Sequence, residues 1–152
     1  MTTHHVVFLE RDSVRAEFRR PDFPHRWEEY PQTAPREMTQ RLRQASIAII
    51  NKLPLRGELL AQLPQLRMIA VAATGVNSVD LDYCRTHGIV VSNIRGYAVH
   101  AVPEHTLMLA LTLKRKLLDY RRDVHNGKWQ QTANFCFFDH PISDLHGGPL
   151  GI

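Results

Sequence analysis

The feature that most restricts the fold of this chain is a rhythm in its first two thirds, where short unbroken apolar runs alternate with segments of helical spacing. Val6-Val7-Phe8-Leu9 is the first such run. Four consecutive apolar residues, in place of every second one, suit a strand covered on both faces. A polar, proline-rich stretch follows, "RRPDFPHRWEEYPQTAP", in which Trp27 to Tyr30 is the expected edge strand. Pro35 then opens a helix carrying Met38, Leu42 and Ala45 at helical spacing, since proline suits a first turn whose N–H has no partner. "SIAIIN" reads as a strand, "PLRGELLAQLP" as a helix with Leu55, Leu59, Leu60 and Leu63 inward, and "LRMIAVAA" as a strand. "SVDLDYCRTHG" completes the repeat as a helix with Ser78 as N-cap and Gly88 as its stop, before the strand "IVVSN". Strands alternating with helices in this way predict an α/β fold with a doubly wound parallel sheet and right-handed crossovers.

In such sheets ligands collect outside the carboxyl ends of the strands. "VAATGVNSVD", residues 71–80, is such an end, and it places Gly75 there. A glycine at that point lets backbone N–H groups approach an anion, and the following turn can present several donors together. An ordinary tight turn would use the same residue. The residues alone leave both readings open.

Composition closes off several function classes. A chain of 152 residues with 43% hydrophobic and 22% charged residues is globular, with material for one core and some remainder. Cys84 and Cys136 form no CxxC pair, which predicts neither a disulfide framework nor a zinc site and fits a reducing cytoplasm. "MTTHHVVFLE" lacks the basic start and apolar centre of a secretory leader, and the apolar stretch Leu107 to Leu113 is far shorter than the ~20 residues of a membrane helix. The net charge of +4 comes from Lys and Arg scattered from Arg11 to Lys128 among acids, so no nucleic-acid partner is expected. There is no nucleophile elbow, no Walker loop and no G-x-G-x-x-G, and His100, Glu104 and His105 match no zinc spacing.

Beyond Asn93 the segment "IRGYAVHAVPEHTLMLALTLKRKLLDYRRDVHNGKW" reads as one long helix, with Pro103 in its first turn and Glu104 near its positive end. Leu107, Ala110, Leu111, Leu117 and Leu118 make one apolar stripe, and Leu109, Leu113 and Tyr120 another. A helix apolar on that much of its surface is expected to be covered by more than one neighbour, between domains or between subunits.

The stretch from "NKLPLRGELL" through "VAATGVNSVDLDYCRTHGIVVSNIRGYAVHAVPEHTLMLAL" resembles the N-terminal part of the D-2-hydroxyacid dehydrogenases. "NFCFFDHPISDLHG" is similar to their glycerate dehydrogenase/hydroxypyruvate reductase branch. The resemblance implies an enzyme that moves hydride between NAD or NADP and a small 2-keto or 2-hydroxy acid. Residues 1–99 would be a flavodoxin-like substrate-binding domain. Residues 100–152 would begin the NAD-binding Rossmann domain, with its first long helix and, at "GGPLGI", its first strand. The helix from Val102 would carry a homodimer contact.

By the same resemblance Thr74 and Gly75 offer backbone N–H groups to the substrate carboxylate. Lys52 and Leu53, following Asn51, match the neighbouring wall of the site. Thr106 matches a residue that helps to hold the cofactor. Pro103 departs from the alanine usual in the family. The family's arginine, histidine and carboxylate, and the helix that packs back on the substrate domain, would all lie downstream of Ile152. No catalytic residue is therefore assigned. The chain is expected to be an N-terminal fragment, inactive alone and without tight dinucleotide binding. The alternatives are a stand-alone module that binds small acids, or one that serves only dimerisation.

Overall fold

A computed structural model describes residues 3–149 and 151. The chain divides into two compact units, Met1–Gly96 and Tyr97–Ile152.

The first unit is a five-stranded sheet in the order β2-β1-β3-β4-β5. Its strands are β1 (His4–Phe8), β2 (His25–Glu29), β3 (Ile47–Ile50), β4 (Met68–Val71) and β5 (Val90–Asn93). All pairings are parallel. The helices α1 (Met38–Leu42), α2 (Gly57–Leu60) and α3 (Leu81–Thr86) lie in the successive crossovers. The expected α/β rhythm is therefore present, and β2 lies at the sheet edge two residues ahead of the expected span. Pro35 opens a short 3-10 turn, Pro35–Glu37, that feeds α1.

Register decides which side chains make the core. Val7, Ala48, Ile69 and Val91 are lateral partners across four strands, as are Ile50, Val71 and Asn93 across three. On that face Val7, Ala48, Ile50, Ile69 and Val71 are buried together with Met38, Leu42, Leu55, Leu60, Leu63 and Cys84 from the crossovers. Each fully buried leucine contributes roughly 1.5–3 kcal/mol of transfer free energy. Burial also pushes the Cys84 thiol above its usual range, with the nearby Asp80 charge adding to it. The opposite face is covered unevenly. Val6 and Phe8 are buried, Phe8 under the edge of the Phe18 ring, whereas Ile47, Ile49, Met68 and Ala70 are half-buried and Val90 is exposed.

One cap differs from expectation. The N-cap of α3 is Asp80, whose carboxylate accepts the Tyr83 N–H at 3.0 Å, and Ser78 lies two residues too early. Ser78 is held instead by its carbonyl, which accepts from Leu55 N–H. Gly88 does end α3, with the left-handed φ of +68° that favours glycine.

The second unit corrects the single long helix. It contains α4 (Ala101–Lys114), α5 (Leu117–His125) and α6 (Lys128–Gln131). Lys116 breaks the run by adopting φ 51° and ψ 37°. The Lys114 carbonyl, freed by the break, accepts from Ser143 N–H at 3.1 Å. The two stripes are therefore not continuous past residue 114. Gly127, at φ +80°, ends α5.

Around that end the Asp123 carboxylate accepts from His140 Nε2 at 2.8 Å and pairs with Lys128, and Tyr120 OH donates to the His140 carbonyl. The His140 hydrogen bond is the main cause that holds the Asp123 carboxyl below the usual range. No described residue of this unit is buried, and Leu113 is 71% exposed. Within its own unit this helix is left largely uncovered. Gly147 to Pro149 and Gly151 are turn and coil, and the rest of the expected strand at 147–152, Leu150 and Ile152, lies outside the described residues.

Candidate functional site

Because all five strands are parallel, the segments that follow β1, β3, β4 and β5 leave the sheet at the same edge. The segment after β4 carries Thr74 and Gly75. Its beginning is fixed by Ala72 N–H donating to Ile50 O at 2.7 Å, and by Ala73 O accepting from Ile94 N–H at 3.1 Å. Its end is fixed by a bridge to the segment after β3, where Leu55 N–H donates to Ser78 O and Asp80 N–H to Leu55 O, both at 2.9 Å.

Between these anchors, the N–H groups of Thr74, Gly75 and Val76 meet no protein acceptor among the described residues. The Thr74 carbonyl does have a partner, Asn93 Nδ2, at 2.7 Å. In a planar trans peptide the C=O and the following N–H point in opposite directions. Asn93 therefore fixes the Gly75 N–H facing away from the end of β5. Successive backbone donors left free in this way are the raw material of an anion-binding nest.

Gly75 bears on the choice between cradle and turn. It does not have a left-handed backbone, and a Cβ placed there would meet only Asn77 Oδ1, at 3.1 Å, the mobile end of a side chain. Nothing in the chain itself demands glycine at this position. A depression of about 570 Å³ opens beside it, lined by Arg56, Gly75, Val76, Asn77, Asp80 and Asp82 among others. Its charged lining is one cation, Arg56, against two carboxylates, Asp80 and Asp82.

In the neighbouring loop, expected as a wall of the site, the backbone donors are already taken. The N–H groups of Asn51, Lys52 and Leu53 all donate to the Glu10 carboxylate, at 2.7, 2.9 and 3.0 Å to Oε2. Lys52 and Leu53 thus have no backbone donor left for a ligand. Thr106 lies in the other unit, on α4, and its hydroxyl donates to the Val102 carbonyl at 2.8 Å.

Three residues of this edge escaped the sequence reading: Glu10, Arg56 and Asn93. The asparagine at the end of "IVVSN" was visible as a strand-end polar residue. Its partner was not, because the bond spans 19 positions.

The fold and this edge define the chain as an α/β protein with a loop of unpaired backbone donors at the carboxyl ends of a parallel sheet. Comparison with known proteins gives it a family. Residues 6–140 match the family model "D-isomer specific 2-hydroxyacid dehydrogenase, catalytic domain". The chain belongs to the D-isomer specific 2-hydroxyacid dehydrogenases. It is 47% identical over 151 residues to a glycerate dehydrogenase of Methylorubrum extorquens, covering 99% of this chain and 48% of that protein. It is 34% identical over 116 residues to a hydroxypyruvate reductase of Blautia hydrogenotrophica, covering 76% and 36%.

The fold is also that of a glyoxylate/hydroxypyruvate reductase from Sinorhizobium meliloti, solved with citrate. The TM-score is 0.68 at 20% identity, over 97% of this chain and 45% of that one. The chain spans about half the length of the first of these curated relatives. Among the described residues no helix is long and apolar enough to cross a membrane, and no group of His, Cys, Asp and Glu is placed to hold a metal.

Proposed function

We propose that this chain supplies the carboxylate cradle of an NAD- or NADP-dependent 2-hydroxyacid dehydrogenase of the glycerate dehydrogenase or hydroxypyruvate reductase type. The substrate is a small 2-keto or 2-hydroxy acid. The observation that carries this reading is the row of unpaired N–H groups at Thr74, Gly75 and Val76, on a backbone held by Asn93 and the Leu55 bridge. Thr74 and Gly75 grip the carboxylate through these N–H groups. Residues 1–99 form the substrate-binding domain, and residues 100–152 the beginning of the dinucleotide-binding one.

The bound nicotinamide would supply the hydride. The residues described here do not fit a dinucleotide by themselves: the sequence holds no G-x-G-x-x-G to cradle a pyrophosphate, and the Thr106 hydroxyl proton is committed to Val102. The chemistry assigned to this chain is therefore the binding and orientation of the acid. The hydride and proton steps are assigned to none of its residues.

The test is titration of the isotopically labelled chain with hydroxypyruvate and with acetamide, an uncharged control, followed by amide NMR. Saturable shifts centred on Thr74, Gly75 and Val76 with the acid alone are expected. Equal shifts with acetamide, or shifts centred elsewhere, would overturn the cradle. The purified chain is also expected to oxidise no NADH in the presence of hydroxypyruvate, and turnover by it would refute the division of labour.

A further inference from the structure

Two clusters of backbone donors lie at the same sheet edge, and they differ in one respect. The cluster after β4 has no acceptor among the described residues, whereas the cluster after β3 has one supplied by the chain itself. Three consecutive N–H groups, of Asn51, Lys52 and Leu53, converge on the single oxygen Oε2 of Glu10, and Lys52 N–H also reaches Oε1 at 3.2 Å. Donors that converge in this way form an anion-binding nest. Hydrogen bonds of this kind, N–H to a charged carboxylate, are among the stronger ones in proteins.

Glu10 is itself held at the end of β1. Leu9 N–H donates to Ile49 O and Arg11 N–H to Tyr30 O, so the backbone on either side of it is tied to β3 and to the end of β2. Its carbonyl accepts from Ser13 N–H and Ser13 Oγ, and Ser13 Oγ in turn accepts from Asn51 Nδ2 at 3.1 Å. The carboxylate is thus delivered to the nest from a fixed backbone. The loop it holds continues to Leu55, whose bridge to Ser78 and Asp80 fixes the far end of the Thr74–Gly75 segment.

We infer that Glu10 is the resident anion of a second nest and acts as a positioning residue. It occupies the Asn51–Leu53 donors permanently, which sets the loop that braces the Thr74–Gly75 segment and leaves that segment as the place for an external carboxylate. The last clause rests on the cradle reading above; the occupation of the nest by Glu10 does not.

Removing the side chain should convert the filled nest into an open one. In Glu10→Ala the exchange of the Asn51, Lys52 and Leu53 amides with solvent is expected to rise by about tenfold or more. Added acetate should then shift those amides back toward their wild-type positions and slow their exchange again. In the wild-type chain acetate should leave residues 51–53 unmoved. Glu10→Gln, which keeps the shape but not the charge, should lie between the two. It also guards against a folding defect, because the β4 and β5 resonances report the sheet in every sample.

A response of residues 51–53 to acetate in the wild type, or the lack of one in a folded Glu10→Ala, would overturn the inference. The cradle reading is scored separately, on Thr74 to Val76 in the wild type. A silent cradle with a rescued nest would sink that reading and leave this one standing.

Discussion

Gly75 and Asn93 carry the argument at the residue scale, because each separates binding from folding. Glycine at position 75 is required neither by its backbone conformation nor by crowding, since an added Cβ meets only the Asn77 side chain. Gly75→Ala should therefore leave thermal stability unchanged or raise it by about 0.4–1 kcal/mol, through the lower entropy of the unfolded chain. It should at the same time weaken binding of hydroxypyruvate about tenfold, because the added methyl stands where the carboxylate must approach and stretches about one charge-assisted hydrogen bond. Calorimetric melting and the NMR titration together check this. A drop in stability with unchanged binding would return Gly75 to the role of a turn residue. Asn93 is the complementary case: its amide holds the Thr74 carbonyl and so sets the direction of the Gly75 N–H.

At the element scale the break between α4 and α5 is the departure with a measurable consequence. Lys116 has no proline or glycine beside it, so helical spacing across "LTLKRKLLDY" gives no sign of a stop. The groups freed at the stop are taken by residues far along the chain: Ser143 N–H donates to the Lys114 carbonyl, and Lys114 Nζ donates to Asp144 O. The left-handed conformation at Lys116 costs a side-chain-bearing residue roughly 1–2 kcal/mol. Lys116→Gly should accordingly raise stability by about 1 kcal/mol without loss of the α4–α5 break. Chemical denaturation monitored by helical circular dichroism measures this. A less stable variant would mean that the lysine stem, and not the backbone, dominates at that position.

For the whole molecule the contrast lies between a unit with a core and a unit without one. Every buried apolar side chain among the described residues lies at or before Ile89, while Leu107, Met108, Leu109, Leu113, Leu118, Phe135 and Phe138 are exposed. Contiguous apolar surface of several hundred Å² is uncommon on a monomer in water. The chain is therefore expected to self-associate through α4 and α5 as a dimer or larger. Light scattering at micromolar concentration should give at least twice the 17.5 kDa chain mass. Leu113→Glu should shift the distribution toward monomer, and a monomeric mass for the unaltered chain would refute self-association.

The sequence by itself determined the elements whose cause is local. Unbroken apolar tetrads marked β1, β3 and β4, leucines at helical spacing marked the crossovers, and Gly88 marked the end of α3, because each rests on the chemistry of a few consecutive residues. It also placed Gly75 at a strand's carboxyl end. Tertiary structure decided what depends on partners distant in sequence. The Glu10 carboxylate reaches a loop 41 to 43 residues away, Asn93 reaches back to Thr74, and Ser143 N–H caps the Lys114 carbonyl where the helix breaks. The same distance explains why the pairing of the Asn51, Lys52 and Leu53 N–H groups with Glu10 could not be read from the sequence: only the folded sheet brings the carboxylate to them.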